Sequence, residues 1–261
     1  MSFISARSGL LAVCLVLLYG QLCFAVELRL YTEENPPLNI SRAGQVSGFS
    51  TEIIKELAIR TGDSTDIELG PWTRGYAKAQ VDANAVVFTT ARIPAREKLF
   101  QWVGPLTHTR SRFYTLKSSG IRITSLEEAA AAGVLVLPRQ WYSYEYLQTK
   151  GFNNIYTVTA PDIMMQMFSA GRADVLAVSE MALPGMLAMV GMTPEQVEPQ
   201  FVFLQHQSYL AFSLKTDPQV VERWQRALDE TKRDGSFTST FQHWFPGQQV
   251  PDELLQIEVG R

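Results

Sequence analysis

The run Thr89-Thr90-Ala91-Arg92-Ile93-Pro94-Ala95-Arg96 carries the clearest chemistry in this chain. Two hydroxyls close an apolar stretch, a proline marks a helix start, and two guanidinium groups flank it. The first N–H groups of a helix lack intrahelical acceptors and lie at the positive end of its dipole, so they favour an anion. Arg96 would add a planar, two-pronged donor shaped for a carboxylate, and Thr89 and Thr90 could donate to the same oxygens. On residue types and spacing alone, a solvated surface explains Arg92 and Arg96 better than an anion site. Other chemistries find less support. His108, His206 and His243 have neither metal-ligand spacing nor the partners of a nucleophile triad, and read as surface or hinge histidines. No glycine loop suited to phosphate occurs. The methionines at 164, 165, 167, 181, 186, 189 and 192 fall mostly on helix faces that need apolar cover. Neither a metal nor a cofactor is expected.

The scaffold that positions these groups must come from 261 residues, 46% hydrophobic and 19% charged, with 23 basic and 26 acidic side chains. Balanced charge argues against a nucleic-acid partner and the apolar content against disorder, while 17 Gly and 13 Pro are too few for a fibrous repeat. The length allows one divided globule or two lobes. Residues 1–25 stand apart from it. Arg7 precedes the apolar run Leu10-Leu11-Ala12-Val13-Cys14-Leu15-Val16-Leu17-Leu18, and the segment loosens through Gly20 to Ala25. Basic, apolar and small zones in that order mark a secretory signal peptide. The apolar run falls well short of the roughly 18 residues that span a bilayer as a helix. Cleavage after Ala25 removes both Cys14 and Cys23, which leaves the mature chain without disulfide or thiol chemistry. The periplasm is the expected compartment.

Beyond that segment, Val26-Glu27-Leu28-Arg29-Leu30-Tyr31 alternates like a strand and runs into Asn35-Pro36-Pro37. Ser50 is placed to cap a helix whose Ile53, Ile54, Leu57 and Ala58 share a face, with Gly62 at its exit. Strands at 66–69 and 85–88, with a helix at 73–80 between them, complete a parallel βαβαβ unit. The rhythm returns with Ser125 and Glu128 at capping-box spacing, strands at 134–137, 155–158 and 175–178, and a helix within 159–171. A strand at 209–214 follows. Asp217-Pro218 then opens a helix to about Asp234, Gly235 closes it, and another helix covers 237–244. This block lacks a sheet of its own and should fold back on the first unit. The expected architecture is α/β with two lobes, 26–110 plus 206–261 and 111–205, with crossings near 108–113 and 204–208. Open α/β sheets bind ligands at the carboxyl ends of their strands, so two facing sheets aim their anchoring positions at one cleft.

Four segments, in order, carry a resemblance. They are Gly48-Phe49-Ser50-Thr51-Glu52-Ile53, the run from Thr89 to Glu97, Gly171-Arg172-Ala173-Asp174, and Asp234-Gly235-Ser236-Phe237 with Trp244-Phe245. Together they resemble the family 3 extracellular solute-binding proteins, the periplasmic receptors of polar amino acid ABC transporters, from about Leu28 to Phe245. The resemblance implies a type II periplasmic binding fold, in which two crossing strands join two lobes that clamp a ligand. The family's arginine for the ligand α-carboxylate falls, by register with Trp102 and Pro105, on Arg96. Trp72 resembles the aromatic that packs over the ligand's side chain. Its face could also hold a cation, typically worth about 0.5 to 2 kcal/mol, and core packing explains it as well. Arg74 is either a second anion donor or a local cap. Asn35 stands where many members carry a tyrosine, with Glu33 and Glu34 just before it; either one of these acids enters the pocket or both stay solvated in the loop. Where the family has an aspartate for the ligand's ammonium, this chain has Ser179 and then Glu180, so either Glu180 takes over or no ammonium binds there. The family's glycine-threonine in the second lobe is replaced by Arg139-Gln140.

The resemblance implies a non-catalytic, monomeric receptor that closes on a small carboxylate-bearing solute, an amino acid or a relative, and delivers it to an inner-membrane ABC permease. An enzyme on the same scaffold, similar to periplasmic cyclohexadienyl dehydratases, would need a carboxylic acid such as Glu180 or Glu34 to protonate a departing hydroxyl. Delivery of a signal to a membrane sensor kinase would use the same binding event.

Overall fold

The computed structural model describes residues 25–257, so the expected signal peptide, apart from Ala25, lies outside the described residues. Apolar alternation in β1 (Glu27–Thr32) buries Leu28 and Leu30. A hairpin of β2 (Ile40–Arg42) and β3 (Gln45–Ser47) leads into α1 (Phe49–Thr61). Gly48, not Ser50, precedes that helix. It has φ 116°, and a side chain there would run into the Leu38 carbonyl, so the position demands glycine. Ser50 is buried one residue inside the helix. After β4 (Ser64–Leu69), α2 (Trp72–Val81) and β5 (Ala85–Ala91), β1 pairs in parallel with both β4 and β5, which is the expected βαβαβ unit.

The chain then crosses through β6 (Phe100–Leu116) into the second lobe, built from α3 (Leu126–Ala131), β7 (Leu135–Pro138), α4 (Tyr142–Thr149), β8 (Ile155–Val158), α5 (Pro161–Ser169), β9 (Val175–Ser179) and α6 (Leu183–Ala188). It returns through β10 (Val197–Ser213), antiparallel to β6 from Val197 opposite Leu116 to Ser213 opposite Phe100. The short strand expected at 209–214 is therefore the last third of a 17-residue strand. Pro199, Gly104 and Pro105 read as breaks in sequence, but register shifts after Pro199, Val202 and Ser208 let the ladder continue past the irregularities. All the long strands form one sheet in the order β4-β1-β5-β10-β6-β9-β7-β8, with the crossing pair at its centre.

Two cores flank that pair. Ile53, Leu57, Val86, Phe88, Trp224 and Phe241 fill one; Phe113, Leu135, Met164, Phe168 and Leu176 fill the other. The C-terminal α7 (Pro218–Asp234) opens with Asp217 accepting from the Gln219 N–H and ends at Gly235, φ 85°. It is fixed to the first lobe through Asp63. That side chain, fully buried, accepts from Arg223 Nη2 at 2.7 and 3.0 Å, from Trp224 Nε1 at 2.7 Å and from the Val26 N–H at 2.8 Å. α8 (Ser236–Trp244) packs Phe237 and Phe241 edge-on against Phe49, and α9 (Asp252–Leu255) ends the described chain. Among the described residues no helix is long and apolar enough to cross a membrane.

Candidate functional site

Strand ends from both lobes converge on one cavity. Its floor is the crossing pair, with Thr107 and Thr109 from β6 facing His206 and Ser208 from β10. The first lobe supplies Glu33 and Asn35 after β1, Leu38, Trp72 at the start of α2, and Thr89, Ala91 and Arg96 at and beyond the end of β5. The second supplies Trp141 and Tyr142 at the start of α4, Val178 and Ser179 at the end of β9, and Ala182 and Met186. Thr89 reaches the cavity through a bulge. Phe88 and Thr89 together oppose Leu210, and Thr89 takes φ 57°, a costly conformation for a β-branched residue. The twist turns its hydroxyl to Asn39, at 2.9 Å from the amide nitrogen.

Arg96 is 1% exposed and sits where the lobes meet. The expected helix start at Pro94 is a 3₁₀ segment of six residues, Pro94–Leu99, so the guanidinium acts without a long helix dipole behind it. A second-lobe carboxylate already holds it. Arg96 Nε donates to Glu145 Oε2 at 2.9 Å and Nη2 to Oε1 at 3.1 Å. Nη2 also donates to the Gln140 carbonyl at 2.7 Å, which accepts from Trp72 Nε1 at 2.8 Å as well. The guanidinium carbon lies 5.3 Å from the Trp72 ring and 5.0 Å from the Tyr76 ring. Gln140 takes part through its backbone, at φ 59°; its own side chain is exposed.

The remaining titratable groups of the cavity are shaped by burial. Desolvation pushes the Glu33 carboxyl up to about 8, against the opposing pull of the Trp141 indole N–H and the Arg96 charge. Trp141 Nε1 is buried and reaches no partner at hydrogen-bonding geometry among the described residues, so its effect on Glu33 is electrostatic proximity rather than a formed bond. His206 is held down to about 3 by burial first, then by the charges of Arg96 and His108. Its ring lies 4.2 Å from that of Tyr142, and Ser111 Oγ links the two, 2.9 Å from the Tyr142 hydroxyl and 3.5 Å from His206 Nδ1. Burial raises Tyr142 to about 12. Both rings are neutral at pH 7.

The structure brings Arg96, Thr89, Trp72, Asn35 and Ser179 to the cavity and leaves the other expected residues outside it. Thr90 is buried and donates to the Val87 carbonyl. Arg74 is 59% exposed and pairs with Glu68 at 2.8 Å. Glu34 turns away to accept from the Ser41 N–H. Arg139 is exposed and donates to Thr157. Glu180 is held by Arg110 at 2.9 Å and Arg112 at 2.8 Å, on a separate depression with Met181 and Gln248. Arg92 pairs with Glu97 away from the cavity. His206 lies on the hinge strand β10, one of its two expected places, and because that strand is central to the sheet it also lines the cavity. Glu145, Trp141, Tyr142 and Thr107 were not among the expected site residues. Trp141 and Tyr142 directly follow Arg139-Gln140, so a strand-end search widened by two residues would have found them. Among the described residues no group of three or more His, Cys, Asp or Glu side chains is arranged to hold a metal ion.

The model of the bacterial extracellular solute-binding proteins, family 3, matches residues 28–247. The chain is 25% identical over 211 residues to the L-cystine-binding protein TcyA of Bacillus subtilis (strain 168), spanning 79% of this chain and 75% of that protein. An ancestral arginine-binding protein bound to arginine superposes with a TM-score of 0.74 at 17% identity, over 84% of this chain and 98% of that one. An ABC uptake transporter substrate-binding protein from Streptococcus pneumoniae with bound histidine gives a TM-score of 0.75 at 15% identity, over 86% and 94%. The structural likeness establishes the two-lobed type II periplasmic binding fold.

Proposed function

This chain belongs to the bacterial extracellular solute-binding proteins of family 3, and we propose that it is a periplasmic receptor that closes its lobes around an amino acid or a close relative and presents it to an inner-membrane ABC permease. The observation that carries this reading is a cavity walled by both lobes in which Asn35 Oδ1, Thr107 Oγ1 and Trp141 Nε1 are buried without partners among the described residues. An unmet buried polar atom costs roughly 1 to 3 kcal/mol. A solute that satisfies such atoms from both lobes favours the closed state by its differential affinity and drives a hinge motion about β6 and β10. The bound arginine and histidine of the two solved relatives support an amino acid as the solute class. The basic, apolar and small-residue order of residues 1–25 supports export to the periplasm.

A thermal-shift screen of the exported protein against amino acids, amines and small carboxylates tests this. A ligand at 100 times its dissociation constant adds about 2.7 kcal/mol, and each kcal/mol moves the midpoint by roughly 2 to 4 °C at this size. A shift of several degrees with an amino acid is the expected outcome. No shift across the panel would remove the receptor reading.

One observation favours a second reading, a dehydratase-like lyase. Glu33, rather than Glu180 or Glu34, is a cavity carboxyl that burial keeps protonated at pH 7, as a general acid for a departing hydroxyl must be. Incubation with prephenate or arogenate separates the two: aromatic product that disappears in Glu33→Gln would favour the lyase, and binding without turnover favours the receptor.

A further inference from the structure

We propose that the solute carries a cationic amino group seated on the Glu33 carboxylate, and that Glu145, by occupying Arg96, makes a carboxylate on the solute dispensable. This rests on the cavity being the solute site and specifies what it selects.

The argument begins with charge. Arg96 is the positive group of the cavity, and Glu145 matches it with two hydrogen bonds, the arrangement a solute carboxylate would otherwise take. With the Gln140 carbonyl on Nη2 as well, Nε and Nη2 are both engaged. Glu33 is the carboxyl on the cavity wall, and it forms no ion pair among the described residues. The titratable neighbours facing this space, Tyr142 and His206, are neutral at pH 7 and bring no compensating charge. Glu33 is protonated in the empty cavity at pH 7, so an anionic solute would bring a negative charge that no free cation among the lining residues answers. A cationic solute is matched when Glu33 gives up its proton, and the cavity stays neutral.

Hydrogen-bond supply points the same way. An ammonium group offers three donors and no acceptor. The Glu33 carboxylate, the unpartnered Asn35 Oδ1 and the unpartnered Thr107 Oγ1 are three acceptors on the wall of one cavity. The acid expected to receive an ammonium, Glu180, is committed to Arg110 and Arg112. The acceptor role thus moves from the second lobe to the first.

The test pairs amino acids with their decarboxylated amines, using L-arginine with agmatine, L-lysine with cadaverine and L-histidine with histamine, and glutarate as the acid control. Calorimetry on the wild-type protein and on Glu33→Gln reads the affinities. The expected result is at least one pair whose members bind within about tenfold of each other, no binding of glutarate, and a loss of at least about 30-fold for both members of that pair in Glu33→Gln. Binding of the amine displaces the Glu33 proton, so wild-type affinity rises by up to about tenfold per pH unit below pH 8 and levels above it, while Glu33→Gln stays flat. A thermal melt of Glu33→Gln confirms folding, since the amide replaces a carboxyl that is already neutral. An amino acid that binds in both proteins alike, while its decarboxylated partner loses more than about 100-fold, overturns the inference and returns Arg96 to the solute with Glu145 displaced. Silence from every probe overturns the receptor reading and this inference together.

Discussion

Glu33 and His206 share one cavity, and burial drives their protons in opposite directions. Glu33 is raised from 4.5 to about 8, so the folded chain holds a proton there that the unfolded chain releases. Its contribution to stability is complete below pH 4.5 and is lost as pH climbs to 8. His206 is lowered from 6.5 to about 3, so the unfolded chain takes up the proton first. Its contribution is complete above pH 6.5 and is lost as pH falls toward 3. Denaturant titrations of the ligand-free protein should therefore show a broad optimum between about pH 4.5 and 6.5, declining on both sides. Glu33→Gln should flatten the alkaline arm, and His206→Asn should soften the acid arm; an alkaline arm unchanged in Glu33→Gln would refute the assignment. What could be read at this scale from sequence was whatever is local. Thr89 sits at a strand end, and that much is visible in Thr89-Thr90-Ala91. Glu145 was invisible because its partner lies 49 residues away in the other lobe, and Glu33 and Glu34 cannot be told apart until a loop turns one inward and the other toward Ser41.

At the scale of elements, the Asp63 cluster joins the C-terminal helix to the first lobe. Asp63→Ala would strand the Arg223 guanidinium and leave the Trp224 and Val26 donors without their acceptor. Breaking a buried pair from one side costs about 3 to 5 kcal/mol, and chemical denaturation should show a loss of that order. A loss below about 1 kcal/mol would mean water or a rearranged α7 replaces the carboxylate. α7 was legible almost to the residue because Asp217-Pro218 and Gly235 are strong local punctuation. The crossing strands were not, because polar residues alternate irregularly along β6 and β10 and their prolines imitate termini. Pairing with each other along nearly their full length, with β5 and β9 on their outer edges, keeps them extended. The helix cap at Gly48 was missed for a related reason: the close approach of the Leu38 carbonyl is a tertiary fact.

The whole molecule is closed, and the tightness of closure is visible at Gly185 on α6. A Cβ there would lie 2.7 Å from Pro36 Cβ and 2.9 Å from the Pro36 carbonyl oxygen, across the gap between the lobes. Gly185→Val should wedge the lobes apart. Small-angle scattering would then give a larger radius of gyration than wild type, solute binding would weaken, and the melting midpoint of the ligand-free protein would move little, because each core is untouched. An unchanged radius would mean that α6 yields instead of the hinge.

The Arg96–Glu145 clasp has a consequence for traffic. Its two halves come from opposite lobes, so a vacant copy can shut on its own side chains and wear the outline of a loaded one. On the receptor reading, vacant copies then queue at the same membrane port as loaded ones, and uptake slows when receptor greatly outnumbers solute. Selectivity at the port would depend on how long each form stays shut rather than on shape alone.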